Sequence, residues 1–109
     1  MTAYKGSGTS IDVNYTAGCG GTDHAIFRGA GPISGTVTWT NAYCALGTDG
    51  TTNFDPGDPG SGSFYYWVIV AQNAAKEGSY GQNSSSVERP EATGIGSCDL
   101  PQDLTGTCP

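Results

Sequence analysis

The stretch FYYWVIVAQNAAKEGSYG, residues 64–81, is the most informative part of this sequence. Its first nine residues alternate between two sides of an extended chain, and each side carries aromatic and aliphatic side chains. One side holds Tyr65, Trp67, Ile69 and Ala71, and the other holds Tyr66, Val68, Val70 and Gln72. The alternation predicts a β-strand, and the Lys-Glu-Gly at 76–78 predicts the turn that ends it.

The rest of the chain has the pattern of short strands joined by turns. Period-two alternation or β-branched composition predicts strands at residues 9–15, 24–28, 36–43, 51–54 and 84–89, and AYKG at 3–6 is a remnant of a first strand. Pro and Gly interrupt residues 55–63, which predicts a loop. No segment has a helical apolar stripe. We therefore expect an all-β chain, an antiparallel two-sheet sandwich of six to seven strands.

Composition places limits on partners and location. Ten acidic residues against four basic ones give a net charge of −6, and the scattered cations form no patch for nucleic acid. No apolar run approaches the roughly 18 residues that span a bilayer. The first ten residues lack the apolar region of a signal peptide, so a secreted form would be a mature product or a piece of a longer protein.

Four cysteines form an even set without a C-x-x-C pair, Cys19, Cys44, Cys98 and Cys108. In a small acidic chain this predicts two disulfides and an oxidising compartment. Cys98 and Cys108 both follow the last predicted strand, so we expect them to pair with each other and Cys19 to pair with Cys44. Zinc is disfavoured because the spacing and the single histidine do not fit a tetrahedral site.

The order from Tyr65 to Gly78 resembles the penultimate strand of a fibronectin type III domain: a tyrosine, three alternating apolar positions, an asparagine and a turn with glycine. The resemblance to fibronectin type III and immunoglobulin-like modules covers roughly residues 9–90. SIDVNYTAGCG, ALGTDG, EGSYG, SSSVERP and CDLPQDLTGTC together resemble an accessory module at the C-terminus of large secreted bacterial proteins. The resemblance implies a sandwich over residues 1–90 and a tail with a small disulfide loop over 91–109.

The resemblance also implies structural roles within the long strand. Tyr65 stands where a tyrosine corner is expected, with its phenol bonded to nearby backbone. Trp67, on the same side, is expected in the core. The family usually has a buried tryptophan at the position of Tyr15, and Trp67 is expected to fill part of the volume of that missing side chain. The opposite side of the strand carries Tyr66, Val68 and Val70, an apolar face that favours contact with another surface. Either the tail around the last two cysteines covers this face, or it contacts a neighbouring domain or subunit.

Two ligand sites are alternatives to purely structural readings. Trp39 and Tyr43 share a predicted strand face and could stack on sugar rings, although such pairs more often fill a core. The acidic loop carries oxygen ligands that suit calcium, the one cofactor that the sequence suggests, at Asp49, Asn53, Asp55 and Asp58. The spacing is not that of an EF-hand, and a solvated turn explains the same residues.

Catalytic machinery is not apparent in the sequence. His24 is the single histidine, and its neighbour Asp23 alternates to the opposite sheet face, so the two do not form part of a triad. No nucleophile elbow or phosphate-binding loop occurs. We expect a non-catalytic, secreted or cell-surface module, of bacterial type by the resemblance, that contacts neighbouring domains or subunits or assembles with itself. A module that binds carbohydrate or calcium is the alternative.

Overall fold

The computed structural model describes residues 1–18, 20–73, 75–95 and 98–105, and these residues are all-β. They form six strands: β1 (Thr2–Lys5), β2 (Ile11–Asn14), β3 (Asp23–Gly31), β4 (Asn41–Tyr43), β5 (Thr51–Phe54) and β6 (Phe64–Gln72). The strands form two three-stranded sheets, in the orders β1–β2–β5 and β4–β3–β6. Every neighbouring pair is antiparallel. The prediction of two antiparallel sheets is confirmed.

The two sheets pack against each other through a buried cluster. Val13 of β2, Tyr15 directly after β2 and Phe54 of β5 come from the first sheet, and Ile26 of β3 comes from the second. Trp67 of β6 packs against this cluster, as predicted for its side of the strand. We call the side of the β4–β3–β6 sheet that carries Ile26 and Trp67 its inner face.

The opposite side of the same sheet, its outer face, is also covered. The cover consists of residues before β4 and residues after β6, and the buried cluster here is Ala25, Phe27, Trp39, Val70, Tyr80 and Ala92. Since β3 packs on both faces, its residues 24–27 are all buried. The chain therefore has two apolar layers, one between the sheets and one beneath the segment after residue 78.

Two predicted strands differ from those observed. The stretch 36–43 is a strand only at Asn41–Tyr43, because Trp39 turns onto the outer face. Residues 84–89 do not extend a sheet; they bend back in a tight turn with a single bridge between Gln82 and Glu88. Residues 3–5 of the AYKG remnant lie in a regular strand, β1, whose four residues are exposed.

The disulfide within the described residues joins Cys44 to Cys98 and closes a sequence separation of 54. The predicted pairings of Cys19 with Cys44 and of Cys98 with Cys108 are therefore wrong. The prediction treated the tail as a loop folded on itself, whereas Ala92, Ile95 and Cys98 pack on the outer face, and Cys98 bonds to Cys44 directly after β4. Cys19 and Cys108 lie outside the described residues.

Across the described ranges, no helix has the length and apolar character that crossing a membrane requires.

Candidate functional site

The predicted interaction face is covered by the chain itself. Val70 has no exposed surface, and Tyr66 and Val68 pack at the margin of the outer-face cluster beneath the segment that includes Tyr80. Tyr66 is also held by its phenol, which accepts a hydrogen bond from the Thr38 N–H at 3.0 Å and donates to the Thr38 carbonyl at 2.5 Å. The observed cover comes from Trp39 before β4 and from Tyr80, Ala92, Ile95 and Cys98 after β6, so the predicted tail around the last two cysteines supplies only a part of it.

The proposed glycan platform does not form. Trp39 is only 8 % exposed, and its indole N–H donates to the Pro90 carbonyl at 2.7 Å. Tyr43 packs in the other cluster, with its ring 5.0 Å from that of Phe54. The two rings therefore lie on opposite faces of the sheet, because the chain before β4 does not continue as a regular strand.

Three of the four residues of the acidic loop, Asp49, Asn53 and Asp55, make hydrogen bonds to the rest of the chain. Asp55 accepts hydrogen bonds from the Thr9 hydroxyl at 2.5 Å and the Gly57 N–H at 2.9 Å, which lower the pKa of its carboxyl. Asn53 donates to Asp12, and Asp49 accepts from the backbone two residues on. These are turn and cross-strand contacts, and Asp58 remains an exposed loop residue.

His24 has a structural position. It is 2 % exposed, and its Nε2 accepts a hydrogen bond from the Gly18 N–H at 3.0 Å. Since Nε2 accepts, Nδ1 carries the proton and donates to the Gly47 carbonyl at 2.7 Å. Asp23 accepts from the Gly47 N–H on the other side of the same loop. The imidazole thus ties two loops together with both nitrogens occupied.

Tyr65 does not form the expected corner within the described residues. Its ring lies under the Arg28 guanidinium, with 4.1 Å from Cζ to the ring centroid, a cation–π contact. Phenol-to-backbone contacts are made instead by Tyr66 and by Tyr15, whose hydroxyl donates toward the Leu46 and Gly47 carbonyls.

An acidic cluster that sequence reasoning missed lies where the C-terminal part meets β6. Carboxylate oxygens of Glu77, Glu91 and Asp99 lie within 4.8 Å of one another. Each carboxylate accepts from the chain: Glu91 from the Gln102 N–H, and Asp99 from the Ile95 N–H. No buried side-chain polar atom among the described residues lacks a partner. The cluster joins three distant segments, and no local spacing in the sequence announces it.

Glu77 is the buried member of this cluster, at 2 % exposure. Its carboxylate accepts from the Tyr80 hydroxyl at 2.7 Å and the Gln72 amide at 3.3 Å. Burial, and to a lesser extent the nearby Asp99, raise the pKa of Glu77 despite these hydrogen bonds. Burial, with the hydrogen bond to Glu77 and its charge, likewise raises the pKa of the Tyr80 phenol.

The outer edge of β6 is the other feature of note. Backbone groups of alternate residues point to opposite sides of a strand. Gln72 points toward β3, since its carbonyl accepts from the Thr22 N–H, whereas the Ala71 carbonyl accepts from the Gly78 N–H on the far side. The N–H and C=O groups of Tyr65, Trp67 and Ile69 therefore point away from β3. We call these groups the outer edge of β6.

No hydrogen bond to these outer-edge groups occurs within the part of the chain that the structure describes. In the described part of the hairpin that follows β6, the backbone bonds are those at Ala71 and, just past the strand, at Asn73, and the chain then leaves the edge at Gly78. Trp67 and Ile69 are accordingly half-buried, although Ile26, opposite Ile69 on β3, is fully buried. The side chains of β6 are thus less covered than those of the central strand β3.

Comparison of the chain with models of known families, with curated proteins and with solved structures found no match.

Proposed function

We propose that this chain is a non-catalytic extracellular module, a sandwich of the fibronectin type III or immunoglobulin-like type, that contacts neighbouring domains or other copies of itself. The observation that carries the proposal is the outer edge of β6. A long strand without charge or proline, with unpaired backbone groups on one side, is a template for another strand. Proteins ordinarily shield such edges, and none of the segments that the structure describes is hydrogen-bonded to this one.

The roles of the polar and aromatic residues support a structural module. His24, which would be the natural acid–base group, has both nitrogens bonded to backbone. Trp39, which would be the natural platform for a sugar ring, is buried and donates its indole N–H to the Pro90 carbonyl. These side chains hold loops together and cover the sheet. The proposal therefore assigns the function to a contact surface and not to a binding cleft.

Secretion is proposed on the disulfide. The Cys44–Cys98 bond closes a long loop and ties the C-terminal part to the sheet. Such bonds persist in oxidising compartments and are rare in the reducing cytosol. The acidic charge and the bacterial-type resemblance agree with this location but identify no host.

Light scattering on the oxidised protein, from micromolar to millimolar concentration, tests the proposal. We expect the weight-average molecular mass to rise with protein concentration and to be unchanged by millimolar calcium or by added oligosaccharides. A constant monomer mass, together with retention on a polysaccharide or a melting temperature raised by calcium, would instead favour the ligand-binding alternative.

A further inference from the structure

We propose that the outer edge of β6 pairs with the same edge of a second copy of this chain, antiparallel about a two-fold axis at Trp67. The pairing would join two three-stranded sheets into one continuous sheet, in the order β4–β3–β6–β6–β3–β4. This inference rests on the proposed contact function and specifies its surface, its partner and its register.

The direction of the backbone groups sets the register. Because Tyr65, Trp67 and Ile69 all point outward, an antiparallel copy centred on Trp67 places Tyr65 opposite Ile69 of the second copy, and the two tryptophans opposite each other. Residues so paired exchange both of their backbone hydrogen bonds. Every outer-edge group therefore obtains a partner, and one surface serves both copies, as a closed dimer requires.

Charge and strand length together favour a second copy at this edge over the other edges. The chain has a net charge of −6, so two copies repel each other wherever acidic groups meet. The nine residues of β6 carry no charge, and antiparallel pairing places no like charges opposite each other. The edge of β1, by contrast, carries Lys5, and β4 and β5 are only three and four residues long.

The partial exposure of the side chains of β6 indicates that a second strand has room to approach this edge. Phe64, at the start of β6, is 47 % exposed, and the side chains of Tyr65, Trp67 and Ile69 are half-buried. Pairing with a second strand would cover the exposed flanks of these residues with apolar neighbours. An interface formed by one strand pair is small, so we expect association in the micromolar to millimolar range.

The test compares Tyr65→Pro with Tyr65→Ala by sedimentation velocity. Both variants lose the ring and its Arg28 contact, but only proline removes the N–H that points outward, and it leaves the ladder to β3 intact. By symmetry the substitution acts at two places in the dimer. We expect Tyr65→Pro to dimerise about tenfold or more weakly than Tyr65→Ala. Circular dichroism and the melting temperature check that the two fold alike.

A further variant, Ala3→Pro, compared with the native protein, shows whether the edge of β1 forms the contact instead. The backbone groups of Ala3 in β1 also point outward, because Gly6, which directly follows β1 and has the opposite parity, donates its N–H to the Ser10 carbonyl on the β2 side. If Ala3→Pro weakens association, β1 takes part and the β6–β6 pairing is wrong. If Tyr65→Pro and Tyr65→Ala dimerise equally, the contact lies elsewhere and only this inference fails. If the native protein does not associate at any concentration, the proposed self-contact fails as well.

Discussion

Gly29, in the middle of β3, shows how single residues permit the cover of the outer face. A Cβ at this position would collide with the Thr38 carbonyl oxygen and the Tyr66 ring, both of which lie directly over the strand. The absence of a side chain at Gly29 is what lets the Tyr66 phenol reach the Thr38 backbone. Gly31 has the same relation to the ring of Phe64, its cross-strand partner.

We therefore predict that Gly29→Ala lowers the free energy of unfolding by about 1–3 kcal/mol, since overpacking forces backbone and ring apart. Gly60→Ala is the control, because a Cβ there meets nothing within 4 Å. It should change the free energy by no more than about 0.5 kcal/mol. Urea denaturation measures both, and equal values for the two variants would show that the close approach at Gly29 is absent.

Glu77 makes stability depend on pH in a direction opposite to that of most carboxylates. Its pKa is raised above the ordinary 4.5 by burial. The stability that follows from the raised pKa is fully present below 4.5 and is lost as pH rises through the pKa of the folded state. The lowered pKa values of Asp55 and Asp103 act oppositely, because their contribution is present above 3.8 and is lost in acid.

The expected result is a maximum of stability in mildly acidic solution, with the free energy of unfolding falling from there toward neutral pH. Glu77→Gln should flatten the fall toward neutral pH, whereas Asp58→Asn, an exposed acid with the same change of charge, should keep it. Denaturant titrations at several pH values measure the effect. A fall that persists in Glu77→Gln would show that another group causes it.

At the scale of elements, the long strand was predictable and its surroundings were less so. Alternation marks β6 and β3 plainly, and their observed faces agree with it. The stretch 36–43 is rich in β-formers, yet Trp39 leaves the strand to cover the sheet. Residues 84–89 have no local signal against a strand; they fail to join β6 because the chain leaves its edge at Gly78, where Tyr80 turns onto Phe27, 5.1 Å between ring centroids.

Neither the disulfide pairing nor the acidic cluster could be predicted from local sequence patterns, and the reason is the same for both. Both depend on where the C-terminal part packs, and that is decided by contacts between residues far apart in sequence. Cys98 reaches Cys44 because Ala92 and Ile95 pack on the outer face. Spacing between cysteines carries no information about such a return.

We predict that replacing Cys44 and Cys98 by serine destabilises the protein by about 4 kcal/mol, from the entropy of a loop with a separation of 54 residues. The C-terminal part should also become the first site of proteolysis. Thermal unfolding and limited digestion measure the two effects. A loss below about 1 kcal/mol with unchanged digestion would mean that packing alone holds this segment.

For the whole molecule, calcium is not expected to add stability through the acidic loop, because Asp49, Asn53 and Asp55 already bond within the chain. We predict that millimolar calcium leaves the melting temperature unchanged, both in the native protein and in the Asp55→Asn, Asp58→Asn double variant. Differential scanning calorimetry measures this. A rise in the native protein that disappears in the double variant would restore the loop as a metal site, and a rise in both would direct attention to the cluster at Glu77.

Amide hydrogen exchange of β6 tests the central claim most directly, because it reads the two edges of one strand separately. In dilute solution we expect rapid exchange at Tyr65, Trp67 and Ile69, whose N–H groups point outward. The intervening residues Tyr66 and Val68, paired with β3, should exchange slowly at every concentration. On concentration the outward three should become protected. Slow exchange of all five in the dilute monomer, or rapid exchange of the outward three at every concentration, would contradict the account.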